Sequence, residues 1–157
     1  MEILYRQATE DDAGPLAELR WTFRAEDEPS HYDRATFIDA CADFFRREIS
    51  EGRGANWIAT SNDEIVAHIS VHRVPLVPRP CHLGDAFGVV TNNYTLPMHR
   101  GYGIGTRLLE LASEWAKAED LELLIVWPSE RASSLYRRAG FSEEHNILQL
   151  ELRPYVS

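Results

Sequence analysis

Gly101, Gly103 and Gly105 stand at alternate positions in the stretch HRGYGIGTRLL, and the chain runs from them directly into helix-forming residues. Glycine inside a helix costs roughly 1 kcal/mol against alanine, so a cluster at a helix start needs a reason: a tight turn, or something that approaches the backbone. The first N–H groups of a helix have no intrahelical partners and carry the positive end of its dipole, which suits an anion such as a phosphate. A fold for this chain must therefore put a strand, this loop and a helix in series.

The flanking pattern supplies those elements. Upstream, roughly Asp85 to Leu96 reads as a strand halted by Pro97. Downstream, Ile104, Leu108, Leu111, Ala112 and Trp115 recur at the spacing of an amphipathic helix ending near Glu119. Earlier, Glu2 to Gln7 alternates as a strand, Thr9 is placed to cap a helix carrying Leu16, Leu19 and Phe23, and RAEDEPS interrupts it. A second helix puts Phe37, Cys41, Phe44 and Phe45 on one face and ends at Gly52 and Gly54. Asn56 to Thr60 and Glu64 to Val74 form a predicted hairpin turning at Ser61, Asn62 and Asp63. Within it Ile65, Ala67, Ile69 and Val71 share one face, and Val66, His68, Ser70 and His72 the other. Pro75, Pro78 and Pro80 give an exposed loop. Leu121 to Trp127 reads as a strand, Glu130 to Ala139 as a helix closed by Gly140, and Ile147 to Leu152 as a last strand. The expectation is one α/β domain with a mixed sheet over residues 1–157.

A net charge of −9 repels a phosphate backbone, so nucleic acid is not an expected partner. No stretch of about 18 apolar residues occurs, and the start has no basic region before an apolar run, so neither membrane nor secretion is expected. Cys41 and Cys81 form no CxxC pair and suit a reducing cytoplasm. His68 and His72 lie four strand residues apart, about 13 Å, too far for one ion, so no metal is expected.

Three phosphate-binding patterns compete for the glycines, beside the simpler reading that Gly101 and Gly103 make a turn. A P-loop needs a lysine after its last glycine, and none follows. The dinucleotide pattern GxGxxG meets Thr106 or Leu108 where its last glycine belongs. Arg100, Gly103 and Gly105, however, resemble the RxxGxG acetyl-CoA motif of the GNAT superfamily of N-acetyltransferases. The later segment WPSERASSLYRRAGF resembles that family's NxxAxxxYxxxGF, with Ala132, Tyr136, Gly140 and Phe141 in register and Ser129 where asparagine is usual. The element order also fits throughout.

That resemblance implies a mostly antiparallel central sheet with flanking helices, an acyl-CoA N-acyltransferase fold, and acetyl-CoA as co-substrate. By it, the CoA diphosphate lies on Arg100, Gly101, Tyr102, Gly103, Ile104, Gly105 and Thr106. The pantetheine meets main-chain groups of Tyr94, Thr95 and Leu96 where the strand splays at a bulge, and Ser129 stands in for the usual asparagine. A backbone N–H near Tyr94 or Thr95 would polarise the thioester carbonyl. Tyr136 would protonate the leaving thiolate, a phenol of ordinary pKa about 10 being protonated at pH 7.

An alkyl amine of pKa about 10.4 arrives protonated and must lose a proton before attack. Glu26, Asp27 and Glu28 fall between the first two helices, which in the family borders the acceptor cleft; Glu28 is the first choice for base or amine anchor, with His68 and His72 as rivals. The expected activity is acetyl transfer to a primary amine of a small molecule or peptide by direct attack in a ternary complex. The competing readings are a non-catalytic acyl-CoA sensor and, further off, a nucleotide-binding oxidoreductase. Trp21, Phe23 and Tyr32 offer a floor for an apolar amine, as the acids do for a polyamine. The sequence leaves the oligomeric state open; a homodimer is common among relatives.

Overall fold

The computed structural model describes residues 1–143 and 146–153. Its contacts divide the chain into two units, Met1–Trp127 and Pro128–Ser157.

The first unit is built on a five-stranded sheet in the order β1-β2-β3-β4-β5, comprising β1 (Leu4–Gln7), β2 (Gly54–Ser61), β3 (Glu64–Pro75), β4 (Ala86–Thr95) and β5 (Leu124–Val126). Neighbours from β1 to β4 pair antiparallel, and β5 joins β4 in parallel. The sheet is thus mixed and mostly antiparallel, as expected. Its helices are α1 (Ala13–Ala25), α2 (Arg34–Ser50) and α3 (Ile104–Ala118).

Alternation along β3 and β4 sorts the helices to the two faces of the sheet. His68 meets Phe45 of α2, and Tyr94, its partner on β4, stacks on Phe23 of α1. Thr95, one residue on, points the other way, toward Gly105 of α3. On the α1/α2 face the core gathers Ala13, Leu16, Ala17, Ala42, Phe45 and Ile58. On the other face α3 buries Ile104, Leu108, Leu109 and Ala112. Phe45 is 2% exposed, whereas Phe44, expected beside it, is 41% exposed: successive helix residues diverge by about 100° and cannot both face the core.

Several boundaries differ from the sequence reading. Asn62 and Asp63 alone make the hairpin turn, both with positive φ, while Ser61 remains in β2. Gly52, at φ +61°, ends α2, but Gly54 opens β2, where a Cβ would strike the carbonyl of Val71 across the ladder. Pro75 closes β3 opposite Ala86 instead of lying in the loop. β5 is three residues long: Leu124, Ile125 and Val126 pair in ladder register with Gly88, Val89 and Val90, and just before them the Glu122 N–H donates to Ala86 and the Leu123 carbonyl accepts from Gly88.

The second unit contains α4 (Glu130–Arg138), capped by Ser129, whose hydroxyl accepts the Ala132 N–H at 3.3 Å. Gly140, at φ +95°, closes it, and the Tyr136 ring meets Phe141 edge to face at 5.4 Å. The strand expected over Ile147 to Leu152 does not form. That segment has no ladder among the described residues, and Ile147, Leu148, Leu150 and Leu152 are exposed. Alternation supplies a face, but a strand also needs a neighbour. Among the described residues no helix is long and apolar enough to cross a membrane.

Candidate active site

β4 carries the feature on which the site turns. Its pairing with β3 jumps from Ser70–Thr91 to His68–Tyr94, leaving an extra residue on β4, and Asn92 sits there at φ +56°. This is a β-bulge, and asparagine tolerates the left-handed conformation better than most residues. Pairing with β5 ends at Val90 and Val126, and beyond that point β4 has no ladder partner on its β5 side among the described residues. The strand therefore parts from β5 after Val90, upstream of Tyr94, Thr95 and Leu96, where the sequence reading put the splay.

The glycine loop lies at the far end of β4. Gly101 and Gly103 hold φ of +84° and +78°, so conformation alone accounts for glycine at both. Gly103 caps α3, with no side chain taking the helix's first N–H groups. Gly105 has ordinary φ; a Cβ there would stand 3.6 Å from Asn93 Oδ1 and 3.8 Å from Thr95 Oγ1. The opening turn of α3 thus lies against the bulged end of β4. Gly101, Tyr102, Gly103 and Thr106 are exposed, whereas the Ile104 side chain is buried, leaving it only main-chain groups to offer.

Arg100 ties this loop to its surroundings. Its Nε donates to the Thr95 carbonyl at 2.9 Å, and its Nη2 donates to both carboxylate oxygens of Glu26 at 3.0 and 3.1 Å. The Tyr94 hydroxyl donates to the same carboxylate. Leu96 directs its N–H to Val66 and its carbonyl accepts from His99, so its main-chain polar groups are engaged within the chain. Asn93, which the sequence reading passed over, has a buried Nδ2 without a hydrogen-bond partner among the described residues.

Of the three acids after α1, Glu26 reaches the bulge, Glu28 pairs with Arg24 and lines a cavity of about 410 Å³, and Asp27 is exposed. Trp21 and Tyr32 line that cavity with Phe37, as does Arg20, whose Nη1 donates to Asn92 Oδ1 at 2.5 Å. Phe23 instead stacks on Tyr94 at 4.6 Å. His68 is 2% exposed and lies 2.9 Å from Asn56 Oδ1 and 3.1 Å from the Ser70 hydroxyl. Burial, with Arg20 and His72 nearby, pushes its pKa down to about 3, so it stays neutral. His72 takes other partners, Glu48 at 3.2 Å and Thr91 at 3.0 Å. Burial pushes the Cys41 thiol pKa up, away from thiolate character.

Comparison with known proteins agrees with this fold. An acetyltransferase from Clostridium acetobutylicum, solved with acetyl-CoA, superposes with a TM-score of 0.82 at 24% identity, covering 96% of this chain and 97% of its own. A GCN5-related N-acetyltransferase from Ralstonia eutropha JMP134 gives 0.78 at 22% identity, covering 96% and 99%. Both show the fold. The uncharacterized N-acetyltransferase YobR of Bacillus subtilis (strain 168) is 37% identical over 67 residues, 40% of this chain; the match spans only 27% of YobR's length. The family model described as "Acetyltransferase (GNAT) family" matches residues 15–141. With a bulged β4 that leaves β5 and a left-handed glycine loop opening α3, this chain belongs to the GNAT family of acetyltransferases.

Proposed function

We propose that this protein is an acetyl-CoA-dependent N-acetyltransferase acting on a primary amine of a small molecule or peptide, by direct attack in a ternary complex. The observation that carries the reading is the abutment of Gly105 on the Asn93 and Thr95 side chains, which joins the start of α3, whose glycine cap offers its N–H groups no side chain, to the break in the sheet. The residues fit a diphosphate bearing an extended arm: exposed loop amides at one end, and at the other the buried Asn93 Nδ2, which has no partner among the described residues.

The N–H groups from Gly101 to Thr106 hold the diphosphate. Arg100, already bonded to Glu26 and Thr95, chiefly fixes the loop's path. With Leu96 engaged, the pantetheine is left to main-chain groups at the bulge, and an N–H at Tyr94 or Thr95 polarises the thioester carbonyl as it becomes an oxyanion. Acetyl-CoA supplies the activated acyl group. Glu28 takes the proton from the incoming ammonium or anchors it; His68, with its pKa near 3, holds Asn56 and Ser70 in place. Tyr136 protonates the departing thiolate, a role assigned by its register in the family's second motif. Direct transfer is favoured because neither cysteine occupies a position of the two family motifs, from which an acyl-enzyme would be built.

Steady-state release of CoA thiol from acetyl-CoA, measured across a panel of amines, tests the reading. Turnover with at least one amine is expected. Saturable acetyl-CoA binding without turnover on any amine would identify a sensor, and stabilisation by NAD but not CoA an oxidoreductase.

A further inference from the structure

We propose that the cavity between α1 and α2 accepts an amine that also carries a carboxylate on an apolar or aromatic body, and that Arg20 selects for that carboxylate. This names the acceptor class of the acetyltransferase reading and rests on it.

Charge is the first argument. The cavity is lined by two guanidiniums, Arg20 and Arg24, and by one carboxylate, Glu28. Glu28 is matched by Arg24 in an i,i+4 pair. Arg20 has no carboxylate partner among the described residues. Among the described residues its hydrogen-bond partner is the neutral amide of Asn92, and it lies 5.3 Å from the centre of the Phe23 ring. Burial and the neighbouring Arg24 both pull its pKa below the ordinary arginine value, as expected for a cation lacking its counter-charge. A guanidinium has five N–H donors in a planar fork that matches a carboxylate with two parallel bonds, and one donor accounts for Asn92.

Shape and position agree. At about 410 Å³ the cavity has the size of a small-molecule site, and Trp21 and Phe37, their rings 5.4 Å apart, give it an apolar wall. Asn92 is the bulge residue of β4, so an acid held on Arg20 brings the rest of the acceptor to the break in the sheet assigned to the thioester.

Calorimetric titration with 3-phenylpropionate, which has the ring and carboxylate but no amine to acetylate, tests the cavity apart from the transfer chemistry. The wild-type protein should bind it at least tenfold more tightly than 3-phenylpropanamide. Arg20→Gln should lose at least tenfold in affinity for the acid, and Arg20→Lys less. In thiol release, phenylalanine should exceed phenylalaninamide and phenethylamine at least tenfold in kcat/KM. Equal binding of acid and amide, no binding of either, or an unchanged affinity in folded Arg20→Gln overturns the proposal; the wild-type comparison stands even where the variant misfolds. If the acid alone binds yet no amine releases thiol, the cavity assignment holds and the acetyltransferase reading falls.

Discussion

Arg100 and Glu26 meet across the site, the guanidinium Nη2 3.0 Å from Glu26 Oε1, and join the glycine loop to the end of α1. Because Arg100 also bonds the Thr95 carbonyl, one side chain sets the path from β4 into the loop. Arg100→Ala is expected to weaken acetyl-CoA binding several-fold, and Glu26→Gln less. A double-mutant cycle read by calorimetry should give a coupling of about 1 kcal/mol, modest because both side chains keep some contact with water. Additive effects would separate the pair from the loop.

The glycines make different predictions. Gly103→Ala puts a Cβ at φ +78° and should cost about 1 kcal/mol of stability, read from urea midpoints, in addition to weakening acetyl-CoA. Gly105→Ala has ordinary φ and only van der Waals contacts, so stability should hold. Its acetyl-CoA affinity should still drop, since the proposed diphosphate site sets the ligand against that backbone. Unchanged affinity in Gly105→Ala would remove the diphosphate from that turn.

Tyr136→Phe keeps the ring that packs on Phe141 and removes the proton. It should lower kcat about a hundredfold or more while leaving the acetyl-CoA dissociation constant nearly unchanged. Wild-type turnover in this variant would end the donor assignment.

His68 gives a pH signature. Its folded pKa, about 3, lies below the ordinary histidine value of about 6.5, so well above pH 6.5 neither state is charged and it has no effect on stability. As pH falls from there toward 3, the unfolded chain binds a proton that the folded chain refuses, and stability declines. At pH 5 the loss should reach about 2 kcal/mol, and His68→Gln should flatten the decline between pH 7.5 and 5. Urea midpoints at the two pH values, wild type against variant, check this.

The part of the candidate site written in contiguous residues was legible: glycines before a helix and a strand before them both depend on near neighbours. The last strand was misread because alternation over Ile147 to Leu152 carries no information about whether a neighbour is present. Arg20 was missed because its role comes from Asn92, 72 positions away, and nothing local separates it from a solvated arginine. Asn92 left a usable signal: two adjacent asparagines inside VVTNNYT, a residue type that strands avoid and left-handed bulges tolerate. Leu96 sat in the expected segment, but its pairing with Val66 and His99 shows only in three dimensions.

Backbone amide shifts recorded while acetyl-CoA is titrated into the labelled protein test the central claim most directly. The account predicts the largest changes at Gly101 to Thr106, with a second group at Asn92 to Thr95. Saturable binding that leaves both groups unmoved would contradict it.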